Sequence, residues 1–562
     1  MDEVKGAQLL VEALQAEGVD TVFGLIGSHV TEIYNALLEA PQIRHIAVRH
    51  EQAAAYMADG YARATGRPGV CVVTAGPGAT NTLTATATAF ADSSPILIIT
   101  GQVPSYALGL GKGVFHECPN QLVIFQPVTG WTGRPRTAGE IPRLVHAAFR
   151  ALRGRRPRPA YLEIPCDLLE GTTKREPWMP RAVRLPRAPE AEVRKAAACL
   201  RESAAPALWA GGGVIRSGAS EELRALAETL GAPVFTTCNG KGAIPADHDL
   251  ALDYWLPAAD HGAPPRQRRR RHDLALDCRL PAGPAVDLLN MADLVLAVGT
   301  RFTAMATGGW RIALPRLLQV DIDPSEIGKN YPVEVGLVGD AKIVLRQIRE
   351  ALAKGGFGER PSRAADVARV RGLVHAEAEH RFPEALRLLQ DVRATLDRDA
   401  IVVCDLTTLA TLGRRYFPVY EPMTFLCPLG FGTLGYAFPA ALGAKVGQPE
   451  RQVVAVCGDG GFLFNTQELA TAVQDRLSVV VLLINDGGYG AFREWQRKHG
   501  SGRVKAVDLL TPDFMLLAQA FGAVGMRAKG LEDVGPLLKA ACKETRPVIL
   551  EVPVALQHPG FG

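Results

Sequence analysis

The 562-residue sequence is notable first for what it lacks. No uninterrupted apolar run reaches the 18 or more residues of a membrane-crossing helix, so a membrane span is not expected. The opening residues, Met1-Asp2-Glu3-Val4-Lys5, carry no basic stretch followed by an apolar one, and a cytoplasmic protein is expected. Ten cysteines are scattered without a CxxC pair or a Cys/His cluster, which excludes the usual zinc and dithiol motifs and reads as buried thiols in a reducing compartment. No GxGxxG opens a first strand–helix–strand unit, which weighs against a nucleotide-dependent oxidoreductase. Net charge is small, +4 at pH 7, and the arginines of the 266–271 run supply more than all of it. The remainder has no basic footprint for nucleic acid, and the run itself reads as a solvated loop.

What is present is the composition of a folded globular chain, 47% hydrophobic and 21% charged, long enough for about three to four domains. Short apolar runs at 69–74, 95–100, 293–298, 400–404, 452–457, 479–484 and 547–552 read as buried parallel strands, and residues 6–17 as an amphipathic helix. The stretches between the runs are long enough for crossover helices. An α/β chain with open parallel sheets flanked by helices follows, its ligands expected at the carboxyl ends of strands. Segments rich in Pro and Arg (171–192) and in Gly and charge (354–366) divide it into three blocks, expected as domains at 1–172, 190–353 and 370–562. Within the middle block, residues 248–258 are nearly repeated at 272–282, with the arginine run between the copies. This reads as a local surface duplication, not a solenoid.

The strongest chemical signal lies in the third block. One strand ends in Gly458-Asp459-Gly460-Gly461, and the next ends in Asn485-Asp486-Gly487-Gly488-Tyr489. Two neighbouring strands thus bring a carboxylate each to one sheet edge, beside glycines that allow a ligand close approach. Oxygen ligands of this kind suit Mg²⁺ or Ca²⁺, and a helix start after Gly460 would favour a phosphate held by that ion. The alternative is a plain turn, which the second carboxylate argues against. In the first block, Arg49-His50-Glu51-Gln52 opens a helix; Glu51 reads either as a helix cap or as a buried carboxyl able to share a proton. Gly76-Pro77-Gly78-Ala79-Thr80-Asn81 follows a strand as a tight turn, a site wall or a packing element.

These motifs, in this order, resemble the thiamine diphosphate (ThDP) enzymes of the acetolactate synthase type across essentially the whole length. The 27 residues from Asp459 to Asp486 are similar to the family's cofactor signature, and 49–63 and 76–81 to its pyrimidine-side motifs. Gly432-Thr433-Leu434-Gly435 resembles the segment that bends the cofactor. The resemblance implies pyrimidine-binding, middle and diphosphate-binding domains, and a homodimer or homotetramer with its active site between chains. It implies that Asp459 and Asp486 hold Mg²⁺ with their side chains and Gly488 with its carbonyl. Gly458, Gly460, Gly461 and Tyr489 would line the diphosphate, and Leu434 would wedge under the bent cofactor where many relatives have Met. Glu51 would hydrogen-bond the aminopyrimidine and so activate the thiazolium, beside Gly76, Pro77, Gly78 and Asn81. Where relatives often have Asn, Asp486 adds a negative charge that should raise dependence on the metal.

The implied substrates are a 2-oxo acid, pyruvate-like, and a carbonyl acceptor. Trp495, in Ala491-Phe492-Arg493-Glu494-Trp495, resembles the residue that shapes the acceptor pocket of acetolactate synthases; its alternative is a core aromatic. Met305 departs from the pattern, standing where an arginine would hold an acceptor carboxylate. In Phe115-His116-Glu117 a histidine replaces the family's glutamine, and Gly27-Ser28-His29 is similar to the Gly-x-His of benzaldehyde lyase. His29 and His116 are therefore candidate proton carriers, and Phe115 a pocket wall. The alternatives are a decarboxylase or a hydroxyketone lyase on the same scaffold and, outside enzymes, a non-catalytic homologue, which the intact Glu51, Asp459 and Asp486 oppose. Residues 320–324 and 338–340 resemble segments that bind FAD in acetolactate synthases; the resemblance implies either bound FAD or, as in some relatives, the same segments kept without the flavin.

Overall fold

The computed structural model describes residues 3–175, 179–180, 182–253 and 283–559. The arginine run and the second copy of the duplicated segment lie outside the described residues. Three six-stranded sheets follow one another along the chain, and every strand pair within them is parallel. The strand segments read from the sequence are all present, as Gly69–Val73, Ile96–Gln102, Leu294–Val298, Ile401–Cys404, Val453–Gly458, Val480–Asn485 and Val548–Pro553. They are continuous apolar runs because both faces of a parallel sheet are covered by crossover helices.

The first sheet runs Arg44–Ala47, Thr21–Gly24, Gly69–Val73, Ile96–Gln102, Ala160–Pro165, Trp131–Gly133. The third runs Phe425–Leu426, Ile401–Cys404, Val453–Gly458, Val480–Asn485, Val548–Pro553, Val524–Arg527. Counted along the chain, both have the order 2-1-3-4-6-5, so their first, third and fourth strands lie side by side where the winding reverses. The middle sheet has the doubly wound order 3-2-1-4-5-6, reversing between Pro206–Ala210 and Leu294–Val298. The Ala364–Arg381 helix spans the expected domain start at 370, and its Val367 and Val370 pack with Trp209 and Phe235 of the middle sheet.

Helices Glu51–Thr65 and Ala437–Gly447 join the first and third sheets in one core. Their small residues allow the backbones to touch. A Cβ on Gly60 would lie 1.9 Å from the Ala440 carbonyl oxygen, and one on Gly443 would lie 1.9 Å from that of Met57. Several polar groups inside this contact are paired, as burial favours, although Asp59 Oδ1 has no partner. Tyr436 Oη donates to Asp59 Oδ2 at 2.6 Å, while Arg63 Nη1 donates to the Cys427 carbonyl at 2.9 Å and to Tyr436 Oη at 3.1 Å. Among the described residues every cysteine is a free thiol, and no helix is long and apolar enough to cross a membrane.

Candidate active site

Two groups of chemically equipped residues stand at the carboxyl edges of the first and third sheets. In the third sheet, strands Val453–Gly458 and Val480–Asn485 pair in parallel with Gly458 opposite Ile484, so Asp459 and Asp486 leave the sheet side by side. Asp459 is 1% exposed, and its Oδ2 has no hydrogen-bond partner; neither has the buried Oδ1 of Asp486. Burial pushes the Asp459 carboxyl up to about 6, and the facing Asp486 pushes the same way. Burial also raises Asp486, against the pull of the Arg493 guanidinium. Two orphaned, mutually repelling carboxylate oxygens are the donor set a hard divalent cation satisfies.

The loop carrying Asp486 is tightly defined. Gly488 has φ +150°, and a Cβ there would lie 2.0 Å from the Val507 carbonyl oxygen. Arg493 donates to the carbonyls of Asp486 (3.0 Å) and Gly487 (2.8 Å) and to Asp508 Oδ1 (2.6 Å). A Cβ on Gly460 would press within 2.7 Å of the Tyr489 ring, so these two residues share one wall. Asp459 begins only a single helical turn, Asp459–Phe462. The helix-start contribution expected for a phosphate is therefore small, because one turn builds little macrodipole, and the cation would have to carry the anion.

Sequence reasoning did not single out Asp405, which ends the adjacent strand. It is 2% exposed, accepts from Gly435 N–H at 3.0 Å, and is pushed up to about 6 by burial. A Cβ on Gly461 would meet it at 3.3 Å. It thus fixes the 432–435 turn, where Gly432 and Gly435 have φ +74° and +79° and Leu434 is half-buried between them. The strand-end position was its signal, the same one that marked Asp459 and Asp486.

In the first sheet, the structure gathers Glu51, Gly76, Gly78, Asn81, His29, His116 and Phe115. The N-cap of the Glu51–Thr65 helix is His50, whose Nδ1 accepts from Gln52 N–H at 3.1 Å. Glu51 does not cap the helix with its side chain. Its Oε2 accepts from Asn81 Nδ2 at 2.9 Å, and a Cβ on Gly78 would lie 3.6 Å from its Oε1. Gly76 has φ +58°, and its N–H donates to the buried Gln121 Oε1 at 2.7 Å. Pro77 sits in the first turn of the Pro77–Asn81 helix. Gln121, unremarkable in the sequence, also donates from Nε2 to Tyr161 Oη at 2.8 Å and to Glu163 Oε2 at 3.2 Å.

His116 is held at φ +65° with a buried, unpartnered Nδ1. Its ring stacks 3.9 Å from that of Phe115 and 5.2 Å from that of His29. Burial, and then the neighbouring His116, lower the His29 imidazole, while Ser28 Oγ lies 3.0 Å from its Nδ1. Phe115 is 69% exposed at the end of a glycine-rich loop, which Glu117 closes by accepting from the N–H groups of Gly111, Gly113 and Val114. Trp495 is no core aromatic. It lies 47% exposed on the Gly490–His499 helix, which has no buried residue, and stacks on His499 at 4.7 Å.

A third site lies at the reversal point of the middle sheet, a cavity of about 550 Å³ lined in part by Arg156, Gly212, Arg216, Gly299, Arg301 and Asp321. Its glycines are required by contact. A Cβ on Gly211 would lie 2.2 Å from the Gly299 carbonyl oxygen, and Gly299 itself has φ +60°. Met305 also lines this cavity.

Comparison with known proteins covers nearly the whole chain. Residues 4–124 match the model of the thiamine pyrophosphate enzyme N-terminal TPP binding domain, residues 193–348 the central domain, and residues 405–552 the C-terminal TPP binding domain. The chain is 36% identical to a probable acetolactate synthase large subunit of Methanocaldococcus jannaschii, over 98% of this chain and 92% of that protein. It is 38% identical to a probable 2-ketoarginine decarboxylase of Pseudomonas aeruginosa, over 97% of this chain and 93% of that one. It is 34% identical to an acetolactate synthase of Mycobacterium bovis, over 96% and 86%.

Proposed function

The chain belongs to the thiamine pyrophosphate enzymes, and from that membership we propose a ThDP- and Mg²⁺-dependent decarboxylation of a pyruvate-like 2-oxo acid with ligation of the remaining fragment to a carbonyl acceptor. The observation that carries the metal and cofactor assignment is the pair of orphaned oxygens on Asp459 and Asp486. These side chains, with the Gly488 carbonyl, would hold Mg²⁺ and through it the diphosphate, with Gly458, Gly460, Gly461 and Tyr489 as the wall around it. When bound, the cofactor supplies the nucleophilic carbon and the electron sink for breaking the bond to the substrate carboxylate.

The remaining tasks fall to side chains. Glu51, held by Asn81, would hydrogen-bond the pyrimidine ring and share its proton, with Gly76, Pro77 and Gly78 beneath it. Leu434 and Gly432 would support the cofactor's bend. His29 is driven towards its neutral form by burial, and so is able to accept a proton or a hydrogen bond near pH 7. His116 and Phe115 form one stacked wall with it, and Trp495 would shape the acceptor side. The domain limits 1–172, 190–353 and 370–562, a homodimer or homotetramer with the site between chains, and a cytoplasmic location belong to the same proposal.

Similarity to acetolactate synthases favours carboligation. A second reading, decarboxylation with a proton as the only acceptor, is favoured by the similarity to a 2-ketoarginine decarboxylase. The test is incubation with pyruvate, with and without 2-oxobutyrate or an aldehyde, and separately with 5-guanidino-2-oxopentanoate. Mass-spectrometric detection of acetohydroxy acids supports the first reading; aldehyde alone supports the second.

The cavity at the middle sheet is the proposed FAD site. Its position at the reversal point of a 3-2-1-4-5-6 sheet and its five arginines fit a dinucleotide's diphosphate. A yellow protein releasing flavin on denaturation is the expected result, and a colourless one that takes up none opposes it.

A further inference from the structure

The Glu468–Gln474 helix of the third domain lies along the segment that leads into Glu51. Its side chains meet residues 47–50 at helical spacing. Arg49 N–H donates to Glu468 Oε1 at 3.0 Å and Oε2 at 3.2 Å, and the His50 amide is a further donor to that carboxylate. Thr471 Oγ1 lies 2.7 Å from Glu468 Oε2 and 3.2 Å from the Ala47 carbonyl oxygen. The Arg49 guanidinium donates to Gln474 Oε1 at 2.8 Å. Glu468 is 0% exposed. A carboxylate taken wholly out of water is expensive unless donors surround it, and here the main donors are the two amides immediately ahead of Glu51.

A contact that only glued two domains together could use apolar groups at lower cost. This one instead fixes backbone direction. His50 is extended, with φ −153° and ψ 139°, and the chain turns into the helix at the next residue. We propose that Glu468 is a positioning residue for Glu51, holding the Arg49 and His50 amides so that the Glu51 carboxylate is presented beside Asn81 and Gly78. The inference rests on the reading of Glu51 as the group that contacts the pyrimidine. It also joins two functions mechanically, because Glu468 lies nine residues beyond Asp459. The strand-end turn that would hold the metal is thereby tied to the segment that would activate the cofactor.

Glu468→Gln places an amide N–H₂ where two backbone N–H groups need acceptors, with almost no change in volume. Three measurements on the full-length protein test the idea: ThDP affinity, the rate of deuterium exchange at C2 of bound ThDP after acid quench, and amide hydrogen exchange of a 44–56 peptide in the cofactor-free protein. The expected result is C2 exchange slowed about tenfold or more, affinity changed by less than about threefold, and faster amide exchange in 44–56. C2 exchange at the parental rate despite a loosened 44–56 segment would overturn the inference and leave Glu468 a structural contact. Glu51→Gln is measured in parallel. If it too exchanges at the parental rate, the reading of Glu51 itself fails; if it alone abolishes exchange, only the role of Glu468 fails. Should Glu468→Gln not fold, Thr471→Val removes one donor to the same carboxylate, and it must slow C2 exchange for the inference to stand.

Discussion

Asp459 and Asp486 leave adjacent parallel strands side by side, each with a buried carboxylate oxygen that has no partner, and the Asp486 charge acts on Asp459. Without a cation this arrangement works against itself, since burial and mutual repulsion both disfavour the charged forms. With a cation it becomes a clamp. The fold tolerates the conflict because the surrounding loop is over-determined, by Arg493 on the carbonyls of 486 and 487 and by the close contacts of Gly488 and Gly460.

Asp459→Asn should therefore change sign with metal. In the metal-free protein, removing one of two facing like charges is expected to leave the melting temperature unchanged or higher. In the presence of Mg²⁺ and ThDP the variant should lose the ligand-induced stabilisation, which for the parent is about 2.7 kcal/mol at a hundredfold excess over Kd. Differential scanning fluorimetry with EDTA and with Mg²⁺ plus ThDP reads both signs. A variant stabilised by the ligands as strongly as the parent would refute the clamp.

Glu51→Gln is expected to bind ThDP with affinity within about threefold of the parent, a change below 1 kcal/mol, because the diphosphate end carries the metal-linked contacts. Exchange of the C2 proton should fall by at least about a hundredfold, as for loss of a positioned acid–base group. Isothermal titration and quenched-flow NMR separate the two quantities. Weak binding with normal exchange is the pattern that would reverse the assignment.

Much of this was legible in the sequence because the carrying residues sit where pattern and chemistry coincide. Asp459 and Asp486 follow continuous apolar runs, and Gly76 follows another, so each could be placed at a strand end before any coordinates. The strands Thr21–Gly24, Arg44–Ala47 and Trp131–Gly133 are not legible as continuous apolar runs, because polar residues and glycine (Thr21, Gly24, Arg44, His45, Thr132, Gly133) interrupt them. Glu468 and Gln121 were missed for a different reason. Each looks like an ordinary polar residue of a helix, and its importance comes from partners 419 and 45 residues away in sequence. Periodicity cannot report such a contact. The two readings of Glu51 also needed coordinates, because only the His50 side chain at the cap position shows that the glutamate is free for another partner.

Glu468 sets a pH dependence. Burial pushes its carboxyl up to about 7 against an ordinary value near 4.5, so the folded state binds the proton more tightly than the unfolded chain does. The stability this contributes is complete below about pH 4.5 and is lost as pH rises through 7. Relative to Glu468→Gln, the cofactor-free parent should lose stability between pH 5 and 8, by on the order of 1–3 kcal/mol. Urea midpoints of the two proteins at a series of pH values check it. A difference that stays constant from pH 5 to 8, or that moves in the parent's favour, contradicts the shift.

Gly76 and His116 are bound together by space. Gly76 has φ +58°, and a Cβ on it would lie 2.6 Å from the His116 carbonyl oxygen; His116 in turn holds φ +65°, a conformation that costs about 1–2 kcal/mol outside glycine. Strain of this kind persists only where the surroundings enforce it, and here it directs the imidazole onto Phe115 and His29. Gly76→Ala is accordingly expected to push the His116 segment away, destabilise the protein by about 1–3 kcal/mol, and reduce activity more than stability alone explains. His116→Gln keeps the backbone and a hydrogen-bonding side chain but removes the proton-carrying imidazole. It should leave stability within about 1 kcal/mol and shift the ratio of aldehyde to ligated product, measured by mass spectrometry from one reaction mixture. The two variants separate the roles: if His116 matters only as packing, Gly76→Ala alters the product ratio and His116→Gln does not, whereas a proton-handling His116 makes the ratio move in both.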